Sequence, residues 1–264
     1  MPAAPATLGN QKLVKHSVTV SGTETRNYSI LYDPSRYASL WVAYPLTAGH
    51  LNGNSSAENW SQDPSVDNSL ETNTWDGAYG VDIETPNYSN NYYSRGHQIP
   101  AGDRKVSAFR NQTFYSTNMT PQIQYGFNGG IWEQLETDIR NLVSPNDTLY
   151  IATGPVYQKK GGSETIKTIT NVQDGKTLPI ANYYYKVVLK VKWSADKKTV
   201  TSAKAIGFWF EHKDYGSAKN YEAYTLSVKQ IETWTGFDFF ANLPDDIETA
   251  IEADTPTWSS FKTF

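Results

Sequence analysis

The chain has 264 residues, enough to bury a sizeable core as one domain or as two small ones. A hydrophobic fraction of 38% and a charged fraction of 19% are ordinary for a globular protein, and no apolar run approaches the roughly 18 residues that span a bilayer. The absence of cysteine excludes disulfides and thiolate metal sites. A net charge of −4 argues against a protein that coats nucleic acid through many basic contacts, although a local basic patch would suffice for an enzyme.

The N-terminal residues 1–10 are rich in Ala, Pro and Gly, and we expect a disordered leader there. The first six lack the basic start and apolar core of a signal peptide, as in a mature or trimmed chain with a new start methionine. No repeat, low-complexity tract or linker divides the remainder, so residues 11–264 are predicted to form a single domain.

Three strands of one antiparallel sheet are predicted near the N-terminus. Residues 12–20 have the apolar spacing of a strand, and residues 26–33 alternate through positions such as Tyr28 and Tyr32. After a turn, the aromatic run at residues 40–46 gives the third strand. Large aromatic side chains of this kind are typical of β-rich folds.

A long polar segment follows between residues 47 and 93, where Asn, Ser, Asp and Gly dominate. Trp60 and Trp75 are isolated aromatic residues, and Pro64 and Pro86 argue against a regular element. A loop of this length in a compact domain usually serves a function.

One helix and one hairpin dominate the second half of the sequence. Apolar residues at helical spacing predict a helix over residues 121–143, whose first turn is weakened by Gly129 and Gly130. Residues 183–193 alternate through one apolar face and residues 200–210 return, which predicts a hairpin. Further predicted elements are a short strand or turn at 109–118, a strand at 148–157, a helix at 227–235 ending at Gly236, and a helix from Pro244 to Ala253.

The segment 93–104 is where we expect the chemistry. The imidazole of His97 has an ordinary pKa near neutrality, so it can accept a proton at physiological pH. Gly96 allows the backbone to approach a substrate closely, and Arg95 offers a fork of donors suited to phosphate. Taken alone, a histidine beside an arginine is more often a structural residue than a catalyst.

Two further segments change that balance, because with segment 93–104 they complete a recognisable signature. They read TFYSTNMTPQ at residues 113–122 and FNGGIWEQLE at residues 127–136. In this order the three segments resemble the DNA/RNA non-specific endonucleases, the ββα-metal nucleases that include secreted bacterial sugar-non-specific nucleases and the endonuclease G group. The resemblance extends over residues 25–250. It implies an α+β fold, with a central antiparallel sheet flanked by helices and the active site on a ββα unit.

The resemblance also implies roles for individual residues. His97 would be the general base, and Asn128 would hold one Mg²⁺ or Mn²⁺ through its amide oxygen, a ligand atom that suits a hard cation. Glu136 would hold a metal-bound water and Arg140 would clamp phosphate; without the resemblance these two residues would be read as an exposed i,i+4 ion pair.

Supporting roles follow for other residues of the motif. Asn118 would support the site by hydrogen bonds, or would serve only the turn in which it lies. Arg95 would bind phosphate or brace the site by a salt bridge, and the sequence leaves both roles open. A basic rim is a further expectation, formed by Arg104, Lys105 and Arg110.

Two departures from the family pattern bear on the rate. Ser94 stands where the family usually has Asp, so a hydroxyl replaces a carboxylate. Glu58 precedes Asn59 and Trp60, where some members carry an arginine, so one phosphate clamp is missing or is supplied by Lys159 or Lys160.

The resemblance therefore implies a metal-dependent, sugar-non-specific endonuclease that hydrolyses DNA and RNA to products with 5′-phosphates. The alternative is a catalytically impaired nucleic-acid-binding protein with the nuclease fold, suggested by Ser94, Glu58 and the acidic pI. A carbohydrate-active protein is a weaker alternative that rests on aromatic content alone. The family implies a secreted, periplasmic or surface-attached location, with no membrane-spanning segment, and leaves the oligomeric state unknown.

Overall fold

The computed structural model describes residues 1–75, 77–79, 93–145, 147–196 and 198–264. The strands within these ranges are β1 (Lys12–Val20), β2 (Thr23–Asp33), β3 (Ala38–Thr47), β4 (Tyr93–His97), β5 (Met119–Ile123), β6 (Thr148–Val156), β7 (Thr168–Thr170), β8 (Thr177–Pro179), β9 (Tyr183–Trp193), β10 (Val200–Glu211) and β11 (Thr225–Leu226). The helices are α1 (Ala48–Leu51), α2 (Ser107–Gln112), α3 (Glu133–Arg140), α4 (Val228–Thr235), α5 (Asp245–Ala253) and α6 (Trp258–Lys262).

A seven-stranded sheet organises the fold, in the order β1-β2-β3-β6-β9-β10-β11. Each neighbouring pair is antiparallel, and the predicted hairpin is the β9–β10 pair, with Tyr185 opposite Trp209. The turn between these strands is held by Asp196, whose carboxylate accepts from Ser194 Oγ at 2.5 Å and from the Lys198 amide at 3.2 Å. The prediction of a central antiparallel sheet flanked by helices is confirmed.

Both faces of this sheet are covered. On one face α3 contributes Leu135 and Ile139 to a core that includes Tyr184 and Val188 of β9. On the other face α4 and α5 pack against the alternate positions of β9, beginning with Tyr185. Since burial of one such side chain is worth about 1.5–3 kcal/mol, the two layers together fix the position of the sheet between them.

A separate pair of strands carries the segment around His97. Strand β4 pairs with β5 in antiparallel register, and α3 follows β5, so the three elements form a ββα unit. The predicted helix over 121–143 is wrong in its first half. Pro121 belongs to β5, and Gly126 and Gly130 take non-helical conformations, with φ of 71° at Gly126, so regular helix begins only at Glu133.

Two other local predictions need correction or restriction. Residues 109–118 were predicted as a short strand or turn, but α2 ends at Gln112 and a 3₁₀ turn covers Ser116–Asn118. The polar segment 47–93 contains α1 and a 3₁₀ turn at Asn68–Leu70 in its described part, whereas Pro86 lies outside the described residues.

The predicted leader at residues 1–10 contains no helix or strand. Its first residues nevertheless contact the rest of the chain: Pro2 is buried, and the Ala3 amide donates to the Asp238 carbonyl at 2.7 Å. Among the described residues, the longest helix is the nine-residue α5, and none is long and apolar enough to cross a bilayer.

Candidate active site

A polar cleft of about 320 Å³ opens where the ββα unit meets the loop after His97. It brings together four of the six predicted site residues, namely His97, Asn128, Glu136 and Arg140. The rest of its wall is formed by Pro100, Ala101, Gly102, Gln124, Gly129, Glu133 and Thr137. Arg95 and Asn118 are not part of this lining.

His97 lies at the end of β4, opposite Met119 of β5. Its ring packs edge-on against Trp60 and Phe114, with centroid distances of 5.5 and 5.0 Å. Burial, reinforced by the positive charges of Arg110 and Arg95, lowers the pKa of His97 to about 3. The imidazole is therefore neutral at physiological pH, the protonation state that a general base requires, although the same shift makes it a weaker base than a free imidazole.

Gly96 is required for the pairing of the two short strands. It lies opposite Thr120, and a Cβ at position 96 would overlap the side chain of Gln122. The close approach of β4 and β5 that positions His97 thus depends on glycine.

Asn128 has its side-chain amide nitrogen fully engaged. Nδ2 donates to Ser94 Oγ at 3.0 Å and to Gln124 Oε1 at 2.9 Å. Within the described chain nothing donates to its Oδ1, which therefore remains available at the cleft. An oriented amide oxygen is a ligand that hard divalent cations accept, so Asn128 fits the metal that the family resemblance implies.

Ser94 gains a defined role from the same contacts. Its hydroxyl accepts from Asn128 Nδ2 and lies 3.2 Å from the Gln122 carbonyl, to which it donates. A serine at this position therefore still supplies the acceptor that orients Asn128, and the departure from Asp does not leave Asn128 unsupported.

Glu136 is 12% exposed and lies beside a buried lysine. Its Oε1 is 3.7 Å from Nζ of Lys186, whose side chain is 1% exposed. Burial raises the pKa of Glu136 and lowers the pKa of Lys186, while the attraction between the two groups opposes both shifts. Neither Oε1 of Glu136 nor Nζ of Lys186 has a hydrogen-bond partner in the part of the chain that the structure describes.

Arg140 is held by a buried acid. Its Nε donates to Asp103 Oδ1 at 2.7 Å, and Asp103 Oδ2 accepts from the Tyr44 hydroxyl at 3.0 Å. A Cβ at Gly102 would overlap the guanidinium, so glycine makes room for it. No described residue accepts from the Nη groups of Arg140, which leaves both amino groups able to donate to a phosphate at the cleft.

Arg95 and Asn118 act behind the cleft. The Arg95 guanidinium lies 3.5 Å from the Trp60 ring centroid and donates to the Thr74 carbonyl at 3.0 Å. Asn118 is fully buried; its Oδ1 accepts from the Ile99 amide, and its Nδ2 donates to the carbonyls of Ile99 and Thr113. The contacts of Asn118 tie the loop after His97 to the turn before β5.

The predicted basic rim is wrong for Arg104 and Arg110. Arg104 is completely buried and donates to Asn27 and to backbone carbonyls, whereas Arg110 donates to the carbonyls of Ala57 and Ala101. Both arginines brace loops, because burial forces their donors to find acceptors within the protein.

The position of the second departure, Glu58, is exposed. The suggested replacement clamp at Lys159 or Lys160 is not at the cleft: the Lys159 ammonium lies 4.1 Å from the Trp234 ring centroid, and neither lysine belongs to the cleft lining.

A different acidic group occurs away from the cleft. Ligand atoms of Glu232, Asp238 and Glu252 lie within 4.8 Å of one another and could hold a metal ion. Lys229 already pairs with this group, with its Nζ 2.8 Å from Glu232 Oε2. None of these residues lines the cleft.

Two buried charges that contact cleft residues were missed by sequence reasoning: Asp103, which pairs with Arg140, and Lys186, which pairs with Glu136. Asp103 is an acidic residue just after the His97 motif, and this position was a usable signal. Lys186 lies on the face of its strand opposite the apolar face that the alternation predicts. Its flanking residues on that face, Tyr184 and Val188, were the signal that this face is buried.

Comparison with known proteins identifies the family of this chain. The family model described as DNA/RNA non-specific endonuclease matches residues 9–246. A "Nuclease" of Nostoc sp. is 30% identical over 228 residues, covering 86% of this chain and 75% of that protein. The "Nuclease" of Serratia marcescens is 26% identical, with 92% and 80% coverage.

Animal relatives and one solved structure extend the comparison. The chain is 29% identical to "Nuclease EXOG, mitochondrial" of Danio rerio and spans 62% of its length. EndoG in the EndoG/EndoGI complex superposes with a TM-score of 0.61 at 22% identity, covering 89% of each chain, which shows a shared fold. By its family match over most of its length, this chain belongs to the DNA/RNA non-specific endonuclease family and is a nuclease, a hydrolase acting on nucleic acids.

Proposed function

We propose that the protein is a metal-dependent, sugar-non-specific endonuclease that hydrolyses phosphodiester bonds of both DNA and RNA. The observation that carries this proposal is the single cleft shared by His97, Asn128, Glu136 and Arg140. Together these residues supply the groups that hydrolysis of a phosphodiester requires: a neutral base, an unengaged amide oxygen, a carboxylate and a guanidinium that can bind phosphate.

His97 acts as the general base in this proposal. The neutral imidazole accepts a proton from the water that attacks phosphorus, and the flanking rings of Trp60 and Phe114 fix the plane in which it does so. The low pKa of His97 keeps its basic nitrogen free of a proton before the substrate binds.

The remaining groups handle the charge of the phosphate. Asn128 would hold the metal through Oδ1, and Glu136 would hold a water of the metal's shell. When bound, Mg²⁺ or Mn²⁺ supplies positive charge that stabilises the phosphate oxygens and the leaving 3′ oxygen. Arg140, oriented by Asp103, binds a phosphate oxygen through its Nη groups.

Substrate breadth and location follow as part of the same proposal. Contacts to phosphate carry no sequence information, so we expect little sequence preference and products with 5′-phosphates. The partners are DNA and RNA. The location that we propose is secreted, periplasmic or surface-attached, as in the secreted bacterial members that the sequence resembles.

The test is cleavage of supercoiled plasmid and of single-stranded RNA, each in Mg²⁺ and in EDTA, by the wild-type protein and by His97→Ala. We expect cleavage of both substrates in Mg²⁺ and none in EDTA. Loss of the His97 imidazole should lower the rate by about 10²–10⁴-fold, the usual contribution of general base catalysis. Thermal unfolding of the variant controls for folding.

Two outcomes would contradict the proposal. Cleavage by His97→Ala at the wild-type rate would exclude His97 as the base. Retention of DNA without cleavage in any divalent metal would instead favour the nucleic-acid-binding alternative; the contact between Ser94 and Asn128 gives no structural support for that outcome.

A further inference from the structure

Lys186 occupies a position in β9 that the core would fill with an apolar side chain. Its neighbours on the same face of the strand, Tyr184 and Val188, belong to the buried cluster that packs against α3. The lysine is 1% exposed, and its ammonium lies 4.7 Å from the Trp132 ring centroid.

This buried charge has a single ionic partner among the described residues, Oε1 of Glu136 at 3.7 Å. The separation is too long for a direct hydrogen bond, and neither atom has another partner there. An apolar pair of similar volume would often be as stable as such an ion pair, so stability does not explain why the lysine is present.

The position of the pair beside the cleft gives a better reason for the presence of the lysine. Oε1 of Glu136 is enclosed beside the ammonium, while the residue lines the cleft, which leaves Oε2 as the oxygen that can face substrate. The other charges near Glu136 are Asp103, Arg140 and Glu133. Arg140 is already committed to Asp103 through its Nε, so Lys186 is the cation that neutralises Glu136 from the core side.

We infer that Lys186 is a positioning residue for the nuclease reaction: it holds the Glu136 side chain turned with one oxygen toward the core and the other toward the cleft. This inference rests on the proposed function, because Glu136 has its role only in the hydrolytic site. Lys186 itself does not touch the substrate.

The experiment is a double-mutant cycle with Lys186→Met and Glu136→Gln, measuring kcat and KM on plasmid DNA in saturating Mg²⁺. Lys186→Met removes the charge at nearly constant volume. We expect its kcat to fall about 10- to 100-fold, the usual loss when a residue supporting a metal site is removed, with KM changed less than about threefold. In the Glu136→Gln background, Lys186→Met should change kcat less than about twofold.

Two further variants complete the design. Lys186→Arg keeps a positive charge at this position, so its kcat should stay within about fivefold of the wild-type value. Lys190→Met is the matched control; that lysine lies on the same strand and donates to the carbonyls of Phe261 and Lys262, outside the cleft, so its kcat should equal that of wild type. If Lys186→Met does not unfold cooperatively, Lys186→Gln replaces it in the cycle.

The results separate this inference from the proposed function. A wild-type protein that cleaves, together with Lys186→Met at the wild-type rate, would overturn the inference alone. Equal fractional losses for Lys186→Met in both backgrounds would also overturn it, since Lys186 would then act independently of Glu136. A wild-type protein that fails to cleave in any metal contradicts the proposed function itself.

Discussion

Two buried polar regions of this molecule look alike in composition and differ in their hydrogen bonding. The first surrounds Glu71 and Asn118, and the second surrounds Glu136 and Asn128 at the cleft. Burial raises the pKa of both glutamates, so a shifted pKa does not distinguish the regions.

The difference lies in which atoms are satisfied. Every polar group of the Asn118 side chain has a protein partner except one lone pair of Oδ1. Glu71 Oε2 accepts from the Asp63 amide and from Ser116 Oγ, whereas Glu71 Oε1 is buried with no partner among the described residues, as Glu136 Oε1 is. At the cleft, no described residue donates to Oδ1 of Asn128 or to either carboxylate oxygen of Glu136. The regions are therefore called closed and open after their asparagines: the bonded Asn118 side chain stabilises loops, whereas the oriented Oδ1 of Asn128 is free to bind a ligand.

The two asparagines offer the largest test of this comparison. Asn128→Ala should raise the Mg²⁺ concentration for half-maximal activity or lower kcat, with a combined loss of about 10²-fold or more, and should leave the melting temperature nearly unchanged. Asn118→Ala should do the reverse: it orphans an amide and two carbonyls, each costing about 1–3 kcal/mol, while folded molecules keep their activity.

Parallel Mg²⁺ titrations and thermal melts of both variants measure this difference. Should Asn118→Ala melt like the wild type but require far more Mg²⁺, the closed region would belong to the active site, and the distinction between the two regions would be lost.

The sequence predicted the strands and helices of both regions better than it predicted the side-chain contacts between them. Alternation and turn residues located the strands of the central sheet, because those signals are local. The helix predicted over 121–143 failed in its first half because the helical spacing was extended back across Gly126 and Gly130, where the backbone leaves the helical conformation. Spacing reports side-chain periodicity and does not report the backbone break.

The residues of the candidate site likewise fall into a group that the sequence predicted and a group that it did not. Family motifs named His97, Asn128, Glu136 and Arg140, and folding brings these four to one cleft. The supports Asp103 and Lys186 were not predicted, because their roles depend on contacts between elements far apart in the chain. Lys186 lies in β9 and Glu136 in α3, and only the sheet packing reveals that they meet.

A smaller test concerns the pH dependence of stability in the closed region. Burial raises the pKa of Glu71 to about 7 in the folded protein, above its ordinary value. Between the ordinary carboxyl pKa and about pH 7 the folded state therefore binds more protons than the unfolded state, so stability falls as the pH rises through this range. Glu71→Gln removes that proton uptake and should lessen the fall by on the order of 1–2 kcal/mol.

Urea denaturation of wild type and Glu71→Gln at pH 5 and pH 8 measures the effect, with activity at pH 8 as a control that should stay unchanged. Glu136 also has a raised pKa, so some dependence remains in the variant. An identical fall in stability for both proteins would show that Glu71 is ionised throughout and that its network is more polar than the contacts indicate.

The smallest expected effect concerns Ser94 of β4, whose hydroxyl accepts a hydrogen bond from Asn128 at the cleft. Ser94→Ala removes one of the two acceptors of Asn128 Nδ2 and leaves Gln124 as the other. Because the amide remains anchored on one side, we expect the Mg²⁺ requirement to rise only about tenfold, at the lower end of losses for residues that orient a metal ligand. Ser94→Asp keeps an acceptor at this place, so its Mg²⁺ requirement should stay within about threefold of wild type.

Mg²⁺ titrations of nuclease activity compare the three proteins. If Ser94→Ala and wild type respond alike to Mg²⁺, Gln124 alone orients Asn128, and the hydroxyl at position 94 contributes only to the pairing of β4 with β5.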